Sequence, residues 1–193
     1  NMANNWKAEG KARADLLSKS DNGGLEIILT GMGSLAYGEL AGERIKLGLM
    51  LHDPEEEHDC FSDNTHWSHY YDAKGIQNIY LGTYNTVKGK TIEGPSLSDL
   101  VKQIQPELDL EMRNKLSTTE AKMQLMVDQA QIGNTFDVLI SEDNTNGNKI
   151  IKDIVDALVD QAKTTEKVIH ILALSEVAIE GSDSLDNPNA IIQ

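Results

Sequence analysis

The run from Glu55 to His66, EEEHDCFSDNTH, packs three consecutive carboxylates, two imidazoles, a thiol, two hydroxyls and an amide into twelve residues. No hydrophobic core needs that composition. It makes either a solvated loop or one wall of a site where ligating or proton-handling groups converge. Carboxylate and imidazole donors suit iron, zinc or manganese, whereas the soft thiolate sets that select copper(I) or iron–sulfur clusters are missing. His58 and His66 are the imidazole candidates, with Glu43, Glu56 and Glu57 as carboxylates. Ser62, Asp63 and Asn64 stand beside them as supporting polar groups, and with Thr65 they equally suit a helix entry that satisfies free backbone N–H groups. Cys60, next to Phe61, reads as a small buried apolar group, because nothing nearby supplies the electropositive setting that lowers a thiol pKa. His52, His69 and His170 lack comparable company and read as structural or exposed.

Helices must position these groups. Between Pro106 and Ile140, Leu108, Met112, Leu116, Thr119, Met123, Met126 and Ala130 recur every three or four residues, which predicts one long helix with one buried stripe. From Lys149 to Ala178 the pattern repeats through Ile151, Ile154, Leu158, Ala162, Thr165, Ile169 and Leu172, and the turn-rich DNTNGN (143–148) separates the two into an antiparallel pair. Ser96 and Asp99 form a cap for a short helix that Pro106 ends. Thr83 to Pro95 reads as a surface loop, Trp67 to Tyr84 as a helix containing or broken by Gly75, and Trp6 to Leu17 as a further helical segment. No internal repeat is present.

Residues 24–51 admit two readings. LEIILTGMGSLA fits a strand followed by a dinucleotide fingerprint, with Gly31, Gly33 and Ala36 in the required places and Asp53 about 20 residues on. A doubly wound sheet needs several more strands, and beyond residue 84 only Val168 to Leu174 resembles one. The competing reading is a glycine-punctuated helix in which Gly38 and Gly42, one turn apart, let another backbone approach. Each glycine costs about 1 kcal/mol of helix stability, which implies a packing or functional reason. On that helix Glu39 and Glu43 point from one face. Arg44 is placed to hold a carboxylate by a two-pronged hydrogen bond or to make an ordinary surface ion pair.

The length of 193 residues suggests one domain. The balance of 17 Lys and Arg against 31 Asp and Glu gives −14, so a nucleic-acid backbone or an anionic membrane would be repelled and cations or basic partners favoured. Cys60 is the single cysteine, so no intrachain disulfide forms. No apolar run reaches the roughly 18–20 residues of a membrane span, and no charged n-region with an apolar core opens the chain, so any export signal is expected to have been removed or to lie upstream of residue 1.

TGMGSLAYGELAGERIKLGL, followed by EEEHDCFSDNTHWSHYYDAKGIQNIYLGTY, resembles the second half of the imelysin family of bacterial envelope proteins. GPSLSDLV (94–101) and EGSDSLDNPNAIIQ (180–193) extend the likeness to nearly the whole chain. The resemblance implies an all-α protein of two up-and-down helical bundles with long irregular loops, of which residues 1–193 form the C-terminal one. It further implies residence in the periplasm or at the outer membrane, association with iron uptake, and a family classed among metallopeptidases. The family's GxHxxE motif, its proposed metal-ligand pair, belongs to the first half and is not found here. HDPE (52–55) has the HxxE spacing, but Met50 stands where the motif needs glycine, and Pro54 breaks the helical turn. The expected partners are therefore an N-terminal half, which would complete a divalent-metal site for iron or zinc, and an iron species or envelope iron-uptake partner. A zinc peptidase is the runner-up, although no HExxH motif is present.

Overall fold

The computed structural model describes residues 2–191, apart from the side chain of Asp21. Two short helices, α1 (Met2–Asn5) and α2 (Lys11–Leu17), lead into a continuous helical rod. The rod has three stretches: α3 (Asp21–Ser34), a π-helix (Leu35–Lys46) and α4 (Leu47–Leu51). There follow α5 (Thr65–Leu81), a small antiparallel hairpin of β1 (Thr83–Asn85) and β2 (Thr91–Glu93), and α6 (Leu97–Ile104). Then come α7 (Pro106–Gln131), α8 (Phe136–Ile140), α9 (Thr145–Ile171) and a single turn, α10 (Asp183–Asp186). The rod packs on α9, α9 on α7, α7 on α5, and α5 back on the rod, closing a four-helix ring. The fold is an all-α helical bundle.

Ion pairs show the direction of the helices of this ring. Glu111 meets Lys167 at 2.7 Å, Lys115 meets Asp160 at 3.0 Å and Lys122 meets Asp153 at 3.0 Å, so α7 and α9 run antiparallel as their periodicity predicts. On the other side of α7, Glu120 accepts hydrogen bonds from Tyr70, Lys74 and Gln77 of α5. Burial alone would raise the Glu120 carboxyl, but these donors outweigh it and hold it below the ordinary carboxylate range. Apolar side chains fill the ring in two layers. One gathers Met32, Ala36, Ile76, Tyr80, Met112 and Leu116, and the other Leu40, Ile45, Met126, Phe136, Ile154 and Leu158.

Several boundaries differ from the sequence reading. The long helix expected to reach Ile140 stops at Gln131, because Gly133 takes φ +91° and Asn134 turns back onto Gln129 before the chain restarts as α8. DNTNGN is less a separator than a start: Asn144 accepts from Gly147 N–H at 2.8 Å and caps α9, which begins at Thr145. α9 ends at Ile171, short of Ala178, and the strand-like run Val168–Leu174 is its last turn and exit, with Ala173 at φ 53°. Thr83–Pro95 is exposed as expected but carries the hairpin. Ser96 caps α6 through Asp99 N–H at 2.9 Å, as its spacing predicts, and α5 passes straight through Gly75. The dinucleotide reading is overturned, since Gly31 and Gly33 lie inside α3, Ala36 is buried in the π-helix, and the described residues hold no parallel sheet.

The glycines of the rod receive the chain's C-terminal segment. After α9 the backbone turns and runs alongside the rod, with Ser175 and Glu176 N–H on Glu26, Glu180 N–H on Ser34 Oγ at 3.0 Å, and Tyr37 OH on Asp186 at 2.6 Å. A Cβ on Gly38 would stand 2.7 Å from the Glu180 carbonyl oxygen, and one on Gly42 2.3 Å from Ser182 Cβ. The expected close approach is therefore made by this strap, of whose family-like phrase (180–193) the last two residues lie outside the described residues. Gly38→Ala should gain about 1 kcal/mol of helix propensity and lose about 1–3 kcal/mol to overpacking against backbone that cannot swing aside. The expected outcome is faster subtilisin cleavage between residues 174 and 186 with the bundle intact; an unchanged cleavage rate would show that the strap is not seated by Gly38.

Candidate functional site

The segment between α4 and α5 is held by its own polar groups. His52 closes α4 at φ 52° and its Nδ1 lies 2.6 Å from the Ile140 carbonyl, so HDPE forms no helical ligand pair. Asp53 accepts from Glu55 N–H at 2.9 Å, and Pro54 starts a 3₁₀ turn. Asp59 is the knot: its N–H donates to Thr65 Oγ1 at 3.0 Å, its carbonyl accepts from Ser62 Oγ, and its carboxylate accepts from the Ser68 hydroxyl. α5 does begin at Thr65, yet Asn64 in the N-cap position makes no side-chain cap. Cys60 and Phe61 are exposed, contrary to the expectation of a buried thiol, because the loop turns both to solvent.

Beside this loop lies an open cleft of about 670 Å³ lined by Arg44, His58, Asp59, Trp67, Ser68 and Asp72, among others. The π-helix helps to build it. In an i→i+5 ladder residues five apart stack, as the Leu47 N–H bond to the Gly42 carbonyl shows. Arg44 thereby reaches Glu39 on its own helix at 3.4 Å and Asp72 on α5 at 2.8 Å, bridging two carboxylates rather than gripping one. Burial raises the Asp72 carboxyl above its usual range, Arg44 and His58 pull it down, and Asp59 adds to the rise. Trp67 and Tyr71 stack with ring centroids 5.5 Å apart to form the outer wall.

Next to the cleft-lining Ser68, but inside the core, stands His69. It is fully buried, edge-on to Phe136 at 5.4 Å and with its ring 6.3 Å from that of His58. Neither ring nitrogen has a well-aligned hydrogen-bond partner. Burial, then the positive charges of His58 and Arg44, push its pKa down to about 3, against smaller opposing contributions from the Arg44 backbone and Asp59. Sequence reasoning set His69 aside, although Thr65, His69, Ala73, Ile76 and Tyr80 fall on one buried stripe of α5 and mark it as a core imidazole.

The other proposed site residues disperse. His58 lines the cleft, and Glu39 and Arg44 reach it through their pair. Glu43 turns to the strap, accepting the Ser182 hydroxyl at 2.5 Å. Glu56 is exposed on the 3₁₀ turn. His66 tilts against Trp67, its Nδ1 buried without a partner and its pKa lowered by burial, with Asp63 opposing. Glu57 and Asp63 face Asp137 of α8, and an oxygen from each of the three lies within 4.8 Å of the others, a candidate acidic metal site. Ser62 and Asn64 are exposed, with Asn64 also lining the cleft. Asp59, Asp72 and Asp137 are the groups that sequence reasoning missed, whereas His69 is structural, one of the two readings the sequence allows it.

An all-α bundle with an imidazole–carboxylate cleft against a π-helix is the class of protein that fold and site define. The imelysin family model, a peptidase family by its label, matches residues 1–165, and the chain belongs to the imelysin family. The match ends within α9, ahead of the strap. No curated protein matches the sequence. No helix among the described residues is long and apolar enough to cross a membrane.

Proposed function

We propose that the His58 cleft is one wall of a metal-linked binding site, completed by a second helical bundle of the imelysin family, in a cell-envelope protein of bacterial iron acquisition. The observation that carries this reading is that His58, Asp59 and Asp72 line one cleft, which offers the imidazole and carboxylate donor types that suit iron or zinc, although their ligand atoms do not converge as a group of three. Arg44 in the same wall suits an anionic shell around such a metal.

The neighbouring surface supports a second bundle. Through Tyr71 and Asp72 the cleft continues into an apolar groove lined by Trp6, Leu16, Ile27 and Ile79. Trp6, Ile27, Tyr71 and Ile79 are exposed, and a contiguous apolar surface with a polar rim has the anatomy of an interface. Gly31 and Gly75 also line the groove, and a Cβ on either would meet nothing within 4 Å. Among the described residues nothing needs those helix-weakening glycines, and a closely docked helix would account for them.

Zinc or ferrous iron titrated into protein containing both bundles should bind saturably, and His58→Ala should weaken binding at least about tenfold. His170→Ala, on the exposed face of α9, serves as control, and the chain alone should bind weakly. Equal affinity in His58→Ala and the parent would remove the reading. The family label favours one alternative, a zinc peptidase, which requires three protein ligands and an open position for water. Among the described residues no imidazole joins a group of three close ligand atoms, so that reading too depends on the second bundle. Cleavage of unfolded substrates by the zinc-loaded two-bundle protein would separate it from pure binding.

A further inference from the structure

Glu57, Asp63 and Asp137 bring three carboxylates together from the loop's 3₁₀ exit, its left-handed corner and the first turn of α8. Each places an oxygen within 4.8 Å of the other two. Like charges at that range repel, and the repulsion grows as water is removed. Water is removed most from Glu57, which is 8 % exposed and whose Oε1 has no hydrogen-bond partner. A buried carboxylate oxygen without a partner, on a side chain clustered with two further carboxylates, is a setting that a bound cation would relieve.

We propose that Glu57, Asp63 and Asp137 bind a hard divalent cation, calcium above all, which fastens the loop between α4 and α5 to α8. The donor set is all oxygen, with no imidazole or thiolate in the group, which favours calcium over zinc or copper. Three carboxylates supply three to six of the six to eight oxygens that calcium takes, and the exposed Asp63 and half-exposed Asp137 leave water access to complete the shell. Magnesium is the poorer fit because it demands near-octahedral geometry and parts from its waters reluctantly. Burial already raises the Glu57 carboxyl, the Thr65 hydroxyl works against this, and Asp137, Asp63 and Asp59 add to it; a divalent charge reverses that repulsion. The site is separate from the His58 cleft and does not depend on a second bundle.

Calcium chloride titrated calorimetrically into the chelator-stripped chain at neutral pH should reveal one saturable site with Kd between about 1 µM and 1 mM. At a hundredfold excess over Kd the Tm should rise by roughly 5–10 °C. Asp63→Asn and Asp137→Asn should each weaken binding at least about tenfold, and Glu57→Gln should lose the calcium-induced rise. Asp156→Asn removes an exposed carboxylate of α9 that pairs with Lys152, and should bind calcium as the parent does. No calorimetric site and no Tm shift in the parent at about 10 mM calcium would overturn the proposal, as would undiminished binding in Asp63→Asn and Asp137→Asn. Either result leaves the His58 reading untouched, because His58→Ala should not alter calcium binding.

Discussion

Asp109→Ala should destabilise the protein by about 3–5 kcal/mol, measured as a fall in urea midpoint at constant slope. The Asp109 carboxylate, 4 % exposed, is the acceptor on which α5, α6 and α7 meet. It takes hydrogen bonds from Tyr80 OH at 3.1 Å, from the Ser98 hydroxyl and from Arg113 Nε at 3.0 Å. Tyr80 and Ser98 are fully buried, so deleting the acceptor strands two hydroxyls where water cannot replace it, at about 1–3 kcal/mol each. Arg113 is half-exposed and can turn to solvent, so it adds less. Burial and the nearby Asp109 charge raise the Tyr80 phenol well above its usual range, so the phenol stays a donor at any ordinary pH. Asp109→Asn keeps one acceptor and should lose distinctly less than the alanine variant. A loss below about 1 kcal/mol for Asp109→Ala would mean that the two hydroxyls find other partners.

That junction also marks what the sequence could disclose. The stripes of α7 and α9 were legible because one face of each is buried along most of its length, so Leu108, Met112, Leu116, Met123 and Met126 recur at helical spacing. The cap at Ser96 was legible because capping is a local interaction. Helix ends were not: Gln131 ends α7 through the left-handed Gly133, and a glycine inside a periodic run does not announce its φ. Gly38 and Gly42 did signal a close approach, but their partner, the Glu180–Ser182 backbone, lies about 140 residues further along the chain. Periodicity carries no information about such a contact.

The site was legible as a composition and not as a geometry. EEEHDCFSDNTH marked the right loop, yet its side chains divide between two places, His58 and Asp59 toward Arg44 and Asp72, Glu57 and Asp63 toward Asp137. A loop with a corner at Asp63 and a knot at Asp59 does not keep neighbours in sequence together in space. The π-helix defeats pattern reading in a different way. Glu39 and Arg44, five apart, would point to different sides of an α-helix, and they pair here because the wider turn stacks them. The wider turn also explains how Ala36, Leu40, Ala41 and Ile45 are all buried while Arg44 still reaches the cleft.

Acid should unfold this protein in large part through His69. The ring is neutral in the fold, its pKa near 3, whereas in the unfolded chain it titrates near 6.5. Between those values the unfolded state holds more protons than the native state, so stability rises with pH across the window and is lost as pH falls through it. The slope is roughly 1.4 kcal/mol per pH unit, and the full window amounts to roughly 5 kcal/mol. His69→Phe keeps a flat ring beside Phe136 and removes the proton site. The measurement is the difference between parent and variant in urea-derived stability at several pH values, because carboxylates held low by lysines, such as Glu111, Asp153 and Asp160, also lose stabilisation in acid and cancel only in the difference. The parent should lose stability on that slope relative to the variant below about pH 6.5, and parallel curves would show that His69 is free to protonate in place. The groups facing the ring decide a further outcome. His58 and Arg44 depress its pKa and Asp59 opposes them, so His58→Ala should raise the native pKa and narrow the window from its acid end, leaving the slope within it and the burial contribution intact. The acid window measures what the fold expends to hold this buried imidazole neutral.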